Sequence, residues 1–345
     1  MKKYIWEIMY KIILLYISLF ISSSNCFAIP KIKIQNEIKL KGFATSTFLN
    51  EQVLTLNYEP EIRIEINAPS IETFDTSKKV MLIFYALPNM NTIEETIGKQ
   101  FQKGMDWHYD IQHIGAQVRF LRNEIKDRNI VVVYLETKEL SWPWWRMRHP
   151  GGDLVIRSVI DSVKNIFEKF NPDIILDGHS GGGSFIFGYL NSVSKIPNQI
   201  KRIAFLDSEY DYADSLNHGN KLLNWLSASS DHYLCAIAYD DRDVIIDGKK
   251  IGTLNGGTFY RTILMKNYLS KKLNFENNSD SLFERFSSLN GRIKFFLKLN
   301  PDHLMWHTLL VEKNGFIESI VSGTKYENLG YEFWGPRAYS QFIQP

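Results

Sequence analysis

The sequence has few cysteines, no surplus of either charge and no apolar run long enough to cross a bilayer. Two cysteines in 345 residues cannot build a disulfide scaffold, and neither lies in a CxxC or Cys/His cluster, which argues against a structural zinc site. With 40 Lys and Arg against 38 Asp and Glu, the chain lacks the basic excess of a dedicated nucleic-acid-binding protein. Its 44% hydrophobic and 23% charged residues indicate a globular protein rather than a disordered one.

The first 28 residues are predicted to be an export signal. Lysines 2, 3 and 11 give a positive start, residues 12–21 are uncharged and apolar, and Cys26-Phe27-Ala28 resembles an A-x-A cleavage site. An apolar run of about ten residues is too short to span a bilayer. We therefore expect a secreted or periplasmic protein, which would touch a membrane only through this segment and only if the segment is uncleaved or lipidated. An uncleaved anchor and a lipidated Cys26 stay open as alternatives.

Removal of this segment would change the charge and the thiol content. It would take three lysines and Glu7 away and leave 37 basic and 37 acidic side chains. Cys235 would be the remaining thiol, so no internal disulfide could form, although an exported protein could keep one. The balanced charge again predicts no nucleic-acid partner.

Short apolar runs alternate with helix-period segments along the rest of the chain. Runs that predict strands are 62–66, 80–85, 130–135, 174–176, 203–206, 233–239 and 293–297, and segments that predict helices are 111–125, 153–170, 182–193, 258–273 and 307–321. This order predicts an α/β protein with a mostly parallel central sheet and helices on both faces. No linker interrupts it, so residues 29–345 are predicted to form one domain. The long stretch 208–290 is predicted to hold an insertion or lid, with an exposed polar loop at 274–280.

The chemically informative motif is Gly178-His179-Ser180-Gly181-Gly182, a G-x-S-x-G pattern between a predicted strand and a predicted helix. To present the Ser180 hydroxyl at the carboxyl edge of the sheet, the chain must turn sharply, and Gly178 and Gly182 leave room for that turn. The Gly181 amide would then face a developing oxyanion. The alternative is a glycine-rich turn without chemistry. Neither a P-loop nor a dinucleotide fingerprint matches here.

With this elbow the sequence resembles the α/β-hydrolase superfamily, in particular its serine esterases and lipases. The resemblance implies a triad in the order nucleophile, acid, histidine. Of the eight histidines, only His303 and His307 follow the strand at 233–239, after which the family commonly carries its acid. His307 is favoured because it directly precedes the last predicted helix, and His303 stays open.

The resemblance places the acid in Asp240-Asp241-Arg242-Asp243. The family often shows a small residue, two others, Asp, two others and Val, and the segment from Ala238 to Val244 fits that spacing with Asp241 as the acid. Such an acid would orient the imidazole and stabilise its charged form. Asp240 and Asp243 stay open as the acid, and a solvated acidic turn describes at least two of the three.

The second oxyanion donor is expected in the loop after the strand at 80–85. Many family members carry His-Gly there, whereas this chain has Ala-Leu-Pro-Asn-Met-Asn at 86–91. Pro88 has no amide hydrogen. Asn89 is therefore the predicted donor, with Met90 as the alternative.

Two further clusters allow two interpretations each. His108, Asp110 and His113 could supply metal ligands, but hydrogen-bonded packing is favoured because no partner pattern occurs elsewhere. The aromatics of the segment 141–149, namely Trp142, Trp144 and Trp145, could stack on sugar rings or acyl groups at the rim of a site, or plug a surface loop.

These observations predict an exported serine hydrolase that cleaves an ester of a small molecule, lipid or glycan. Ser180 would attack the carbonyl, His307 would carry its proton, Asp241 would hold the imidazole, and Gly181 and Asn89 would stabilise the oxyanion. No cofactor and no metal are implied. The alternatives are a non-catalytic envelope or glycan-binding protein of this fold, a serine peptidase or acyltransferase, and a metal-dependent hydrolase built on His108, Asp110 and His113.

Overall fold

The computed structural model describes residues 38–252 and 254–345. The predicted export signal, with its alternatives of an anchor and a lipidated Cys26, lies outside these residues. Among the helices that are described, none is long and apolar enough to cross a membrane.

The strands follow the apolar runs of the sequence. They are β1 Ala44–Thr45, β2 Gln52–Tyr58, β3 Ile62–Ala68, β4 Val80–Ala86, β5 Asn129–Thr137, β6 Asp173–Gly178, β7 Ile200–Leu206, β8 Tyr233–Tyr239, β9 Ile245–Ile246, β10 Lys249–Lys250, β11 Glu276–Asn277, β12 Phe283–Ser288 and β13 Ile293–Lys298. Every strand that the sequence predicted is present. The two-residue strands β1, β9, β10 and β11 were not predicted, and neither were the longer strands β2 and β12. Both carry many polar side chains and lie toward the two edges of the sheet.

Eleven of these strands form one sheet in the order β1-β2-β3-β5-β4-β6-β7-β8-β13-β12-β11. The central strands from β5 to β13 pair in parallel, while the strands at both margins pair antiparallel. The predicted fold class, α/β with a mostly parallel central sheet, is confirmed. Because the carboxyl ends of parallel strands meet at one edge, the loops after β4, β6, β7, β8 and β13 can share one site.

The helices lie on both faces of this sheet. They are α1 Ile93–Ile97, α2 Ile114–Glu124, α3 Trp142–Arg148, α4 Gly152–Ile166, α5 Gly183–Ser192, α6 His218–Ala228, α7 Thr258–Leu269, α8 His307–Glu312 and α9 Gly315–Val321. The amphipathic pattern explains their seating: in α4, Ile156, Val159, Ile160 and Val163 share one stripe and are buried.

Alternate residues of the central strands point into two separate apolar cores. Leu82 and Phe84 of β4 belong to the core that includes residues of α4 to α7, whereas Ile83 and Tyr85 belong to the core that includes residues of α2, α8 and α9. Burial on both faces is the reason why these strands read as continuous apolar runs.

The last predicted helix is divided in two. Asn314, between α8 and α9, has a left-handed backbone with φ of 66°, a conformation that asparagine tolerates well. Its side-chain amide donates to the carbonyl oxygens of Glu332 and Pro336. The break therefore separates the short helix that begins at His307 from the buried helix that follows.

The stretch 208–290 holds several elements. Helix α6 connects β7 to β8, the hairpin β9–β10 follows β8, α7 packs near the sheet, and β11 and β12 extend the sheet edge. The segment predicted as a polar loop at 274–280 contains the exposed two-residue strand β11. Part of the predicted insertion is thus an antiparallel extension of the sheet itself.

Candidate active site

Ser180 lies in a tight turn between β6 and α5, at the carboxyl edge of the sheet. Its φ of 54° is left-handed, which a non-glycine residue adopts at a cost of about 1–3 kcal/mol. The turn is packed closely: a β-carbon at Gly182 would overlap the carbonyl oxygen of Ala86, and one at Gly183 would overlap that of Ser208. The predicted strand–turn–helix context of the motif is present, with a half-buried Ser180 at its apex.

The side chain of His307 contacts a buried carboxylate. Its Nδ1 forms a hydrogen bond with Oδ2 of Asp207, the first residue after β7. Asp207 is fully buried, has a left-handed backbone with φ of 49°, and donates its own amide to the carbonyl of Ile237 at 2.6 Å. Its other oxygen, Oδ1, accepts the hydroxyl of Thr258. A carboxylate held at both oxygens in this way fixes the orientation of the imidazole.

Asp241 does not contact His307, which corrects the predicted pairing. Its Oδ2 accepts the main-chain amide of Thr258 at 3.0 Å, at the first residue of α7. Asp241 therefore caps a helix N-terminus, a common position for a carboxylate. The sequence did hold a signal for Asp207, because this aspartate directly follows the buried run 203–206. That signal was missed because the acid was sought only after the next strand.

The other residues of the acidic turn and His303 lie elsewhere. Asp240 pairs with Arg242, and Asp243 pairs with Lys250. His303 is exposed and lines, together with Asp240 and Asp243, a surface cavity of about 360 Å³. Of the two candidate histidines, the structure brings His307 to a buried carboxylate and His303 to this outer cavity.

The carboxyl groups of Glu209 and Asp241 lie near that of Asp207, which contacts His307. Burial and the charge of Asp207 raise the pKa of Glu209 well above its usual range. The same two causes raise the pKa of Asp241 to about 7. Carboxyl groups shifted by burial and a like charge are typical of functional sites.

Ser180 and His307 are joined through His179 rather than by a direct bond. Within residues 38–252 and 254–345, the Ser180 hydroxyl makes no hydrogen bond. His179, the residue before it, contacts the carbonyl oxygen of His307 through Nε2 at 3.2 Å, and the two imidazole centroids are 4.4 Å apart. The contact of His179 therefore brings the helix that begins at His307 next to the turn that carries Ser180.

The predicted oxyanion residues lie side by side. The side chain of Asn89 occupies the space where a β-carbon of Gly181 would lie. Neither the main-chain N–H of Gly181 nor that of Asn89 donates to another described residue. Met90, the alternative, donates its amide to the carbonyl of Leu140 at 2.8 Å. Asn89 thus stays the better candidate, and its role stays a prediction.

The tryptophans of α3 separate into two groups, which corrects the predicted role of two of them. Trp142 and Trp145 are 1% and 0% exposed and donate their indole N–H groups to the carbonyls of Leu135 and Pro60. They lie three residues apart, on the buried face of the helix, and therefore belong to the core. Trp144, on the other face, is 60% exposed, so among these tryptophans it alone stays a candidate for substrate contact.

His108, Asp110 and His113 do not converge on one point. His108 contacts Asp106 at 2.5 Å, while His113 contacts Asp110 at 2.8 Å, and Asp110 also accepts from Arg337. These contacts match the packing interpretation of this segment, and the three side chains named as metal ligands do not form one set.

Comparisons with known proteins give a distant structural likeness. No protein-family model and no curated protein sequence matches the chain. Among solved structures, a thermostable esterase is 11% identical with a TM-score of 0.45, and the match covers 82% of this chain but 64% of that one, less than two thirds. A siderophore hydrolase from Aspergillus nidulans is 12% identical with a TM-score of 0.45 and coverages of 84% and 99%. An acetyl xylan esterase from Aspergillus awamori is 10% identical with a TM-score of 0.41 and coverages of 72% and 92%.

These solved structures are of two esterases and a siderophore hydrolase. At such identities and TM-scores, the likeness does not extend to activity or substrate.

Proposed function

We propose that this protein is a serine hydrolase that cleaves carboxylic esters, with Ser180 as nucleophile, His307 as general base and Asp207 as the acid of the triad. The observation that carries the proposal is the contact of a fully buried Asp207 carboxylate with His307 Nδ1, at the sheet edge where Ser180 sits in its strained turn.

The chemistry follows from the hydrogen-bond roles at this contact. A carboxylate accepts, so Nδ1 of His307 carries the proton and Nε2 keeps its lone pair. Nε2 can then take the Ser180 proton as the hydroxyl attacks the ester carbonyl, and return it to the leaving alcohol. Asp207 stabilises the imidazolium formed in between. Water releases the acyl group by the same steps.

The oxyanion of the tetrahedral intermediate needs donors already in place. Gly181, at the start of the turn into α5, offers its amide, and Asn89 beside it offers a second N–H. Each such donor contributes on the order of 10²–10³-fold in kcat in serine hydrolases.

The decisive experiment is labelling by a fluorophosphonate probe, compared between wild type and Ser180→Ala. We expect labelling of wild type and its loss in the variant, with kcat on a short-chain p-nitrophenyl ester falling by roughly 10⁴-fold or more. Ser192→Ala, the same change at the other end of α5, is the matched control and should label normally. A folded wild-type protein that does not react would refute the proposal.

The triad alone does not select an ester over other acyl donors. A pair of substrates with the same acyl group, one an ester and one an amide, separates esterase from peptidase activity. Transfer of the acyl group to an added alcohol, in preference to water, would instead indicate an acyltransferase.

A further inference from the structure

His179 connects the turn that carries Ser180 to the helix that carries His307. It is 2% exposed, its Nε2 lies 3.2 Å from the carbonyl oxygen of His307, and the planes of the two imidazoles are inclined by 36°. The partner is a carbonyl, which can only accept, so Nε2 must carry the proton.

This tautomer leaves the other ring nitrogen without a partner. Nδ1 of His179 is buried and makes no hydrogen bond to any described residue. An unpaired buried acceptor destabilises the folded state, and an apolar side chain at this position would avoid that cost. A histidine with one unpaired nitrogen therefore needs an explanation here, and the hydrogen bond from its Nε2–H to His307 supplies one.

The bond adds a main-chain contact at the start of the helix that bears the base, where Trp306 donates to Asn300 and the His307 side chain contacts Asp207. Helix α8 has six residues, and Trp306 at its N-cap makes no side-chain capping bond. A short helix with an uncapped start is weakly ordered by its own hydrogen bonds. His179, the residue before Ser180, adds a hydrogen bond to the main-chain carbonyl of His307 itself.

The surroundings also keep His179 neutral. Burial, and then the neighbouring His307, lower the pKa of His179 well below its usual range. A neutral ring with a fixed tautomer can hold its bond while His307 gains and loses a proton.

We propose that His179 is a positioning residue, which holds the His307 imidazole in register with Ser180 by donating from Nε2 to the His307 carbonyl. This inference rests on the proposed function for its catalytic meaning, but the bond itself can be tested without activity.

The test compares two variants of similar length and shape, His179→Gln and His179→Met. Glutamine can place an amide donor near the position of Nε2, and methionine cannot. We expect His179→Met to lower kcat by about 10–100-fold with KM changed by less than about threefold, because misplacement of a catalytic group costs rate more than binding. His179→Gln should stay within about fivefold of wild-type kcat.

A spectroscopic readout accompanies the kinetics. The low-field proton NMR resonance of His307 Nδ1–H, identified by its loss in His307→Gln, should be sharp in wild type and His179→Gln and broadened or absent in His179→Met. Equal losses of kcat in both variants would overturn the proposal, because the role would then be packing. So would wild-type kcat with an unchanged resonance in a folded His179→Met.

A measurement on the wild-type protein keeps the proposal testable even if the variants do not fold. Nitrogen-15 shifts of the His179 ring report its tautomer, and we expect the proton on Nε2. A proton on Nδ1 would overturn the inference. If Ser180 fails to react with the probe while the tautomer and the His307 resonance are as expected, the proposed function fails and the positioning bond stands.

Discussion

Two acidic loops leave neighbouring strands at the same edge of the sheet, yet they have different neighbours. Asp207 follows β7 and contacts the imidazole of His307. Asp241 follows β8 and contacts the first amide of α7. Both are aspartates within two residues of the end of an apolar strand, so their local sequences do not separate them. What separates them is the element packed opposite each one, which is a long-range property of the fold.

A single residue touches both loops. The hydroxyl of Thr258 donates to Asp207 and its amide donates to Asp241. The two carboxyl groups are thus linked through one residue, and the charge of Asp207 contributes to the raised pKa of Asp241. Asp207 contacts the His307 imidazole. Asp241 caps α7, and Thr258 of that helix donates a hydrogen bond to Asp207.

The largest expected effect comes from removing the charge of Asp207, and the same change at Asp241 serves as the comparison. Asp207→Asn should lower kcat by roughly 10³–10⁴-fold, because an amide at this position favours the wrong tautomer of His307. Asp241→Asn should stay within about threefold of wild type, since it keeps an oxygen for the Thr258 amide. Steady-state kinetics on one ester measures both. A larger loss in Asp241→Asn than in Asp207→Asn would restore Asp241 as the acid.

A smaller effect is expected from the residue that the loops share. Thr258→Val removes the hydroxyl that donates to Asp207 and leaves Oδ1 unpaired inside the protein, so we expect a loss in kcat of about tenfold, or roughly 1–2 kcal/mol. Thr262→Val is the control, because this equally buried threonine donates to the Thr258 carbonyl. If the two variants lose activity equally, the Thr258–Asp207 bond has no special part in the site.

The smallest effect concerns stability and pH at Asp241. Its pKa of about 7 lies above the value of about 3.9 in an unfolded chain. Between these values the folded state binds more protons, so this carboxyl lowers the free energy of unfolding as pH rises from about 4 to 7. Asp241→Asn removes that dependence.

We therefore expect the Tm of Asp241→Asn to exceed that of wild type by roughly 2–4 °C at pH 8 and to approach it near pH 4. The gain is small because Asp241 is partly exposed and solvent screens much of its charge. Thermal melts across this pH range measure the difference. A gap that does not change with pH would show that Asp241 does not titrate in this window.

The sequence predicted those parts of the fold that depend on local pattern. The central strands, most helices and the turn at Ser180 could be read because burial on both faces produces apolar runs and because the turn needs glycines. The strands β2 and β12 were missed because their polar side chains resemble a loop. The core positions of Trp142 and Trp145 follow from a helical spacing that becomes clear only once α3 is known.

The sequence predicted the turn at Ser180 and the placement of His307 at the start of a helix, but it did not show which aspartate contacts His307. Asp207 and Asp241 differ in which partner the folded chain brings to them, and pairing across 100 residues between Asp207 and His307 has no local signature. The bond from His179 was hidden for the same reason, since a main-chain carbonyl acceptor leaves no trace in residue identity.

The close approach at Gly183 sets a spacing that no rotamer can alter. The main chain of α5 meets the carbonyl of Ser208 directly, and Ser208 follows Asp207 along the chain. Contacts between backbones cannot lengthen by a side chain changing its conformation. The distance between the loop that carries Asp207 and the turn that carries Ser180 is therefore fixed by a contact between main chains. Neighbouring side chains can be replaced while the spacing between the Ser208 carbonyl and the main chain at Gly183 stays constant.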